Sequence, residues 1–70
     1  MNNKLLKAIR NSKGRFFGLY TKQGEVLNAQ FQRETEDYVN VYDRNEKRSR
    51  KFAKTSLKGV QIQANMIGSM

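Results

Sequence analysis

The sequence has no cysteine, histidine, proline or tryptophan among its 70 residues. Without cysteine there is no disulfide framework, no thiol nucleophile and no thiolate zinc site. Without histidine there is no imidazole acid or base and no serine–histidine triad. No apolar run approaches the roughly 18 residues of a membrane-spanning helix. The first residues, MNNKLLK, bring in charge too early for the apolar stretch of a signal peptide. Acid is scarce as well: 6 Asp and Glu stand against 14 Lys and Arg, a net charge of +8. These exclusions lead us to expect a soluble, cytoplasmic, non-enzymatic chain with no cofactor or metal and an anionic partner.

The charge is blocked. Residues 1–22 carry Lys4, Lys7, Arg10, Lys13, Arg15 and Lys22 with no acid. Residues 23–43 carry Arg33 against Glu25, Glu34, Glu36, Asp37 and Asp43. Residues 44–58 carry Arg44, Lys47, Arg48, Arg50, Lys51, Lys54 and Lys58 against Glu46 alone. Two basic blocks thus flank an acidic middle. Glu34, Glu36 and Asp37 sit together, but they supply fewer oxygen ligands than calcium usually takes.

One domain over residues 1–70 is expected, since the length leaves no room for two. Residues 3–11 read as a short helix, capped by Asn2 or Asn3, with Leu5, Leu6 and Ile9 on one side. So short a helix is not stable alone and must dock. Ser12, Lys13 and Gly14 end it, Gly14 in a left-handed conformation.

Residues 15–63 read as β. Phe17, Leu19 and Thr21 alternate with Phe16, Gly18 and Tyr20. Gly24 supplies the positive φ of a hairpin turn. Leu27, Ala29 and Phe31 then point inward, with Val26, Asn28 and Gln30 outward. Residues 33–36 read as a polar loop. Val39 and Val41 face inward on a third strand, with Tyr38, Asn40 and Tyr42 on its other side. A polar turn leads to residues 48–53, a fourth strand of thin apolar content. One helical turn at 55–57 precedes a closing strand that carries Val60 and Ile62 inward. The expected core joins Leu6, Ile9 and Phe52 to these inward residues. The expected fold is mainly β: a small five-stranded SH3-like antiparallel barrel with a short N-terminal helix and a loose tail at 64–70.

Residues 14–31, GRFFGLYTKQGEVLNAQF, resemble the "GxFFxVxFxKxDGxxRxxNAR" hairpin of short phage-encoded SH3-like or Sm-like β-barrel proteins related to the WYL domain. YVNVYD at 38–43 is similar to their "YxxVYD" strand, and TSLKGV at 55–60 to their closing segment. The resemblance implies a barrel fold and a phage setting, hence a host-cell cytoplasm. Gln30 stands where that family usually has a basic residue.

The basic blocks point to nucleic acid, RNA or single-stranded DNA. Phosphate neutralisation needs clustered cations, and base stacking needs exposed rings beside them. The expected contact residues are Arg15, Tyr38, Tyr42, Arg44, Lys47, Arg48, Arg50, Lys51 and Lys54. Alternation puts Arg48 and Arg50 on one side of their strand and Lys51 on the other. Three other readings stand beside this one. The basic strand is a solvated edge that blocks aggregation. The outward tyrosines are the seat of the helix. The chain docks on an acidic surface of a host or phage protein. The helix has too few bulky anchors for a membrane partner.

Overall fold

The computed structural model describes residues 3–62 and 65–68. The elements run α1 (Asn3–Asn11), β1 (Phe16–Thr21), β2 (Val26–Glu34), β3 (Tyr38–Asp43), β4 (Arg48–Ala53), a 3-10 turn (Lys54–Ser56), β5 (Leu57–Ile62) and β6 (Asn65–Gly68). All strands belong to one antiparallel sheet in the order β4-β3-β2-β1-β5-β6. The alternation expected for the first five strands is present. The sheet is open, however: among the described residues no pairing joins β4 to β6, so hydrogen bonding does not close a barrel. The tail also differs from expectation, because Asn65–Gly68 pair with β5 as a sixth strand. The capping position Asn2, the strand end Gln63 and Ala64, Ser69 and Met70 lie outside the described residues.

The sheet has one apolar face, and α1 covers it. Leu5, Leu6, Ala8 and Ile9 are buried with Phe17, Leu19, Leu27, Ala29, Val39, Val41, Leu57 and Val60 in one cluster. Phe31, Phe52 and Ile62 pack against its margin, only partly buried. The helix therefore gains its stability from tertiary burial, as its length requires. No helix is long and apolar enough to cross a membrane.

Short polar contacts fix the connections. Ser12 Oγ donates to the Ala8 carbonyl at 2.9 Å and helps end α1. Gly14 follows at φ +83°. In the β1–β2 turn the Gly24 amide donates to the Thr21 carbonyl at 3.0 Å, with Gly24 at φ +92° as the sequence requires. Lys22 N–H donates to the Ser56 carbonyl at 2.8 Å, which ties this turn to the 3-10 segment.

One irregularity decides where charges go. The β2–β3 register shifts between Phe31 and Arg33, so Arg33 stands opposite Asn40 and Glu34 opposite Val39. Directly paired residues share a face. The extra residue thus turns Arg33 outward with Asn40 and Glu34 inward with Val39. Strict alternation from Phe31 would do the reverse.

Candidate nucleic-acid interface

The helix lies on the apolar face, so the opposite face of the sheet is free of it. Cross-strand pairing assembles that face in rows. Phe16 is opposite Gln30, and Gln30 opposite Tyr42. Arg33 is opposite Asn40, and Asn40 opposite Lys51. Gly18 lies between Asn28 on β2 and Gln61 on β5. Tyr38 starts β3 on the same side, opposite Ala53.

Three rings and two cations on this face form two contact groups. Phe16 and Tyr42 meet edge to face, with centroids 6.4 Å apart and planes at 65°. Arg44 Cζ lies over the Phe16 ring, 5.0 Å from its centroid. Lys51 Nζ lies over Tyr38 at 4.6 Å. Phe16 and Tyr38 are each about two-fifths exposed (40% and 41%), high for aromatic side chains in so small a protein. Tyr38 and Tyr42 stand four residues apart, about 13 Å along an extended strand, so the ring beside Tyr42 is Phe16. Tyr20 also belongs here: its hydroxyl donates to Gln61 Oε1 at 2.9 Å, and its ring edge leans over Gly18.

The expected contact residues therefore divide. Tyr38, Tyr42, Arg44 and Lys51 come together on the outer face. Arg33 joins them, brought there by the bulge. Arg15 is exposed just before Phe16, and Lys47 is exposed in the β3–β4 turn at φ +57°. Among the described residues none of Arg15, Arg33, Arg44, Lys47 and Lys51 has an ion pair.

Arg48, Arg50 and Lys54 do not belong to this face. Arg50 stands opposite Val41 and Arg48 opposite Asp43, on the side of the core. Arg50 donates to Glu25 at 2.5 and 3.1 Å and to Asp43 at 3.1 Å, while its Cζ lies 4.8 Å from the Phe52 centroid. Hydrogen bonding to Glu25 and then Asp43 raises its pKa further above an already high value. Arg48 pairs with Glu46 at 3.1 Å at the exposed end of the strand. Lys54 is buried, with its ammonium 2.8 Å from Glu34. Arg10 of the helix binds the same carboxylate through both oxygens. Arg10 first and Lys54 second pull the Glu34 pKa from the usual carboxylate range down to about 2. The helix cations lie across the sheet from Phe16 and Tyr42, so the two basic blocks do not converge on a single face.

Asp43 is the pivot of the β3–β4 turn. Its Oδ1 accepts the amides of Asn45 at 2.9 Å and Glu46 at 3.2 Å. Burial pushes its pKa up, but those amides and the Arg50 guanidinium outweigh the burial and hold it below the usual value. A carboxylate in a hydrogen-bonded turn could be read from DRNEK at 43–47; its arginine partner on the next strand could not.

The site these elements make is a surface of rings, unpaired cations and carboxamides on the side of the sheet away from the helix. It can stack planar groups and bind phosphate. Among the described residues no group of His, Cys, Asp or Glu is arranged to hold a metal ion. Comparison with protein-family models, curated proteins and solved structures finds no match to the chain.

Proposed function

We propose that the outer face of the sheet binds single-stranded nucleic acid, RNA or DNA, by stacking bases on Phe16, Tyr38 and Tyr42 and neutralising phosphates with Arg33, Arg44 and Lys51. The observation that carries this reading is the sorting of cations. Glu25, Glu34, Asp43 and Glu46 pair with Arg10, Arg48, Arg50 and Lys54, whereas the cations beside the exposed rings have no carboxylate partner among the described residues. A surface that only prevents edge pairing does not need rings beneath its charges.

The protein acts here as a binding module, not as an enzyme, and works in the cytoplasm. We read the open antiparallel sheet as SH3-like; its strand order and the 3-10 turn before β5 support that reading, as does the resemblance of the hairpin and closing segment to phage-encoded barrels. Single strands suit the site better than a duplex, because stacked base pairs do not offer their faces to rings on a protein surface.

Fluorescence anisotropy with a labelled single-stranded oligonucleotide at several salt concentrations tests the proposal. Three engaged phosphates give a slope of log K against log salt of about −2. The double substitution Arg33→Ala with Lys51→Ala flattens the slope, and Arg48→Ala leaves it unchanged. Absence of binding at low salt, with a specific protein recovered from nuclease-treated lysate, would instead favour an acidic protein surface as the ligand.

A further inference from the structure

Among the described residues two arginines lie over phenylalanine rings, and the two pairs differ in one respect. Arg50 over Phe52 has its nitrogens committed to Glu25 and Asp43, and its side chain is only 21% exposed. Arg44 over Phe16 is exposed and has no carboxylate. The first stack is part of the framework. The second is the same construction left open on its outer side.

The root of Arg44 is held. Its amide donates to the Asn28 carbonyl at 2.9 Å. The residues that follow are fixed by Asp43, which accepts from Asn45 and Glu46, and by the Lys47 amide, which donates to the Asp43 carbonyl at 2.7 Å. Phe16 is held as well, by its edge contact with Tyr42. The guanidinium therefore rests over a fixed ring on a fixed stem.

A guanidinium is planar and weakly hydrated, and it stacks on aromatic groups; an ammonium is a compact point charge that does not. On the reading of the outer face as a single-strand site, on which this assignment depends, we infer that Arg44 is a base-stacking residue. A nucleobase lies on the open side of its guanidinium, so the Phe16 position takes its base through Arg44, in the order base, Arg44, Phe16, and the N–H edge of the guanidinium stays free for phosphate. Lys51, the ammonium over Tyr38, contacts phosphate. Gln30 lies between Phe16 and Tyr42 in the pairing, where its carboxamide can reach the edge of the seated base. Pre-stacking removes part of the ordering cost that a free arginine would carry into the complex.

The test compares oligothymidylate with an abasic strand of equal length, which keeps the phosphates and removes the bases. The wild-type chain is expected to bind oligothymidylate about a hundredfold more tightly than the abasic strand, with one base on Arg44 and one on Tyr38 at about tenfold each. Arg44→Lys keeps the charge; it should lose about tenfold of that preference while leaving the abasic affinity and the salt slope as they were. Lys51→Arg should retain binding to both strands, and Lys51→Ala should weaken both alike with a shallower slope. Equal binding of Arg44→Lys and wild type to oligothymidylate would overturn the assignment and leave the single-strand reading standing. Equal wild-type affinity for the two strands would overturn the assignment together with the base stacking of the proposed function, leaving only phosphate contact. Failure of the wild-type chain to bind either strand at low salt would overturn the single-strand reading itself.

Discussion

Arg50 on β4 donates to Asp43 on β3 at 3.1 Å, inside the hairpin that joins them. Asp43 is 1% exposed, and its other oxygen, Oδ1, accepts two turn amides. A buried carboxylate with every partner in place stabilises its turn, whereas the same partners without it are left unsatisfied. Asp43→Ala is therefore expected to destabilise the protein by about 2–4 kcal/mol, a large share of the stability of so short a chain. Asp43→Asn keeps an acceptor for the turn amides but puts an NH2 donor where Oδ2 accepts from Arg50, so a smaller loss of about 1–2 kcal/mol is expected. Urea unfolding of the two variants checks the ranking. Equal losses would mean that the charge on Arg50, not the turn, dominates.

Acid should loosen the attachment of the helix. Glu34 has its pKa lowered to about 2 by Arg10 and Lys54. Glu25 and Asp43 are lowered as well, Glu25 chiefly by its hydrogen bond from Arg50. For a carboxylate depressed in the folded state, the unfolded chain binds more protons between the two pKa values. Stability from these groups is thus fully present above the ordinary carboxylate range and is lost as pH falls through it toward about 2. The urea midpoint is expected to stay level from neutral pH to about 5 and then decline. Glu34→Gln should start lower at neutral pH and decline less steeply. A midpoint that falls equally in both proteins would remove Glu34 from the account.

Much of this fold can be read from alternation alone. Phe17, Leu19 and Thr21 face in, as do Val39 and Val41, because each strand has one buried side and a period of two. Leu5, Leu6 and Ile9 mark the buried side of α1 for the corresponding helical reason. The pairing of charges could not be read this way. Arg10 meets Glu34 and Arg50 meets Glu25 across 24 and 25 residues, separations set by topology. The bulge at Phe31 and Arg33 is the other hidden step. The sequence reads there as the start of a loop, yet the bulge sends Arg33 to the ring-bearing face and Glu34 to Lys54. Residues 65–68 carry too little pattern to announce a strand; they pair because β5 offers an unpaired edge.

Lys47 adopts φ +57°, the one positive φ outside glycine among the described residues. The left-handed region costs an L-residue about 1 kcal/mol relative to glycine. Against this, glycine loses more entropy on folding. Lys47→Gly is therefore expected to be neutral or to stabilise by up to about 0.5 kcal/mol, while Gly24→Ala, at φ +92°, destabilises by about 1 kcal/mol. Melting curves of both variants check the signs. A clear loss for Lys47→Gly would mean that its side chain makes a contribution the backbone does not account for.

Tyr38 separates stacking from charge on the outer face. Its ring carries the Lys51 ammonium and is 41% exposed, so removing it takes little from the core. Tyr38→Ala is expected to leave the melting temperature nearly unchanged and to weaken single-strand binding by about fivefold to tenfold, within the range for a lost stacking partner. Phosphate contacts set the salt slope, and Lys51 keeps its charge in this variant, so the slope should stay at its wild-type value. Tyr38→Phe keeps the ring and should bind as the wild type does. The measurement is anisotropy at three salt concentrations for each protein. A shallower slope in Tyr38→Ala would mean that the ring serves mainly to hold Lys51 against phosphate, and an unchanged affinity would take Tyr38 out of the site altogether.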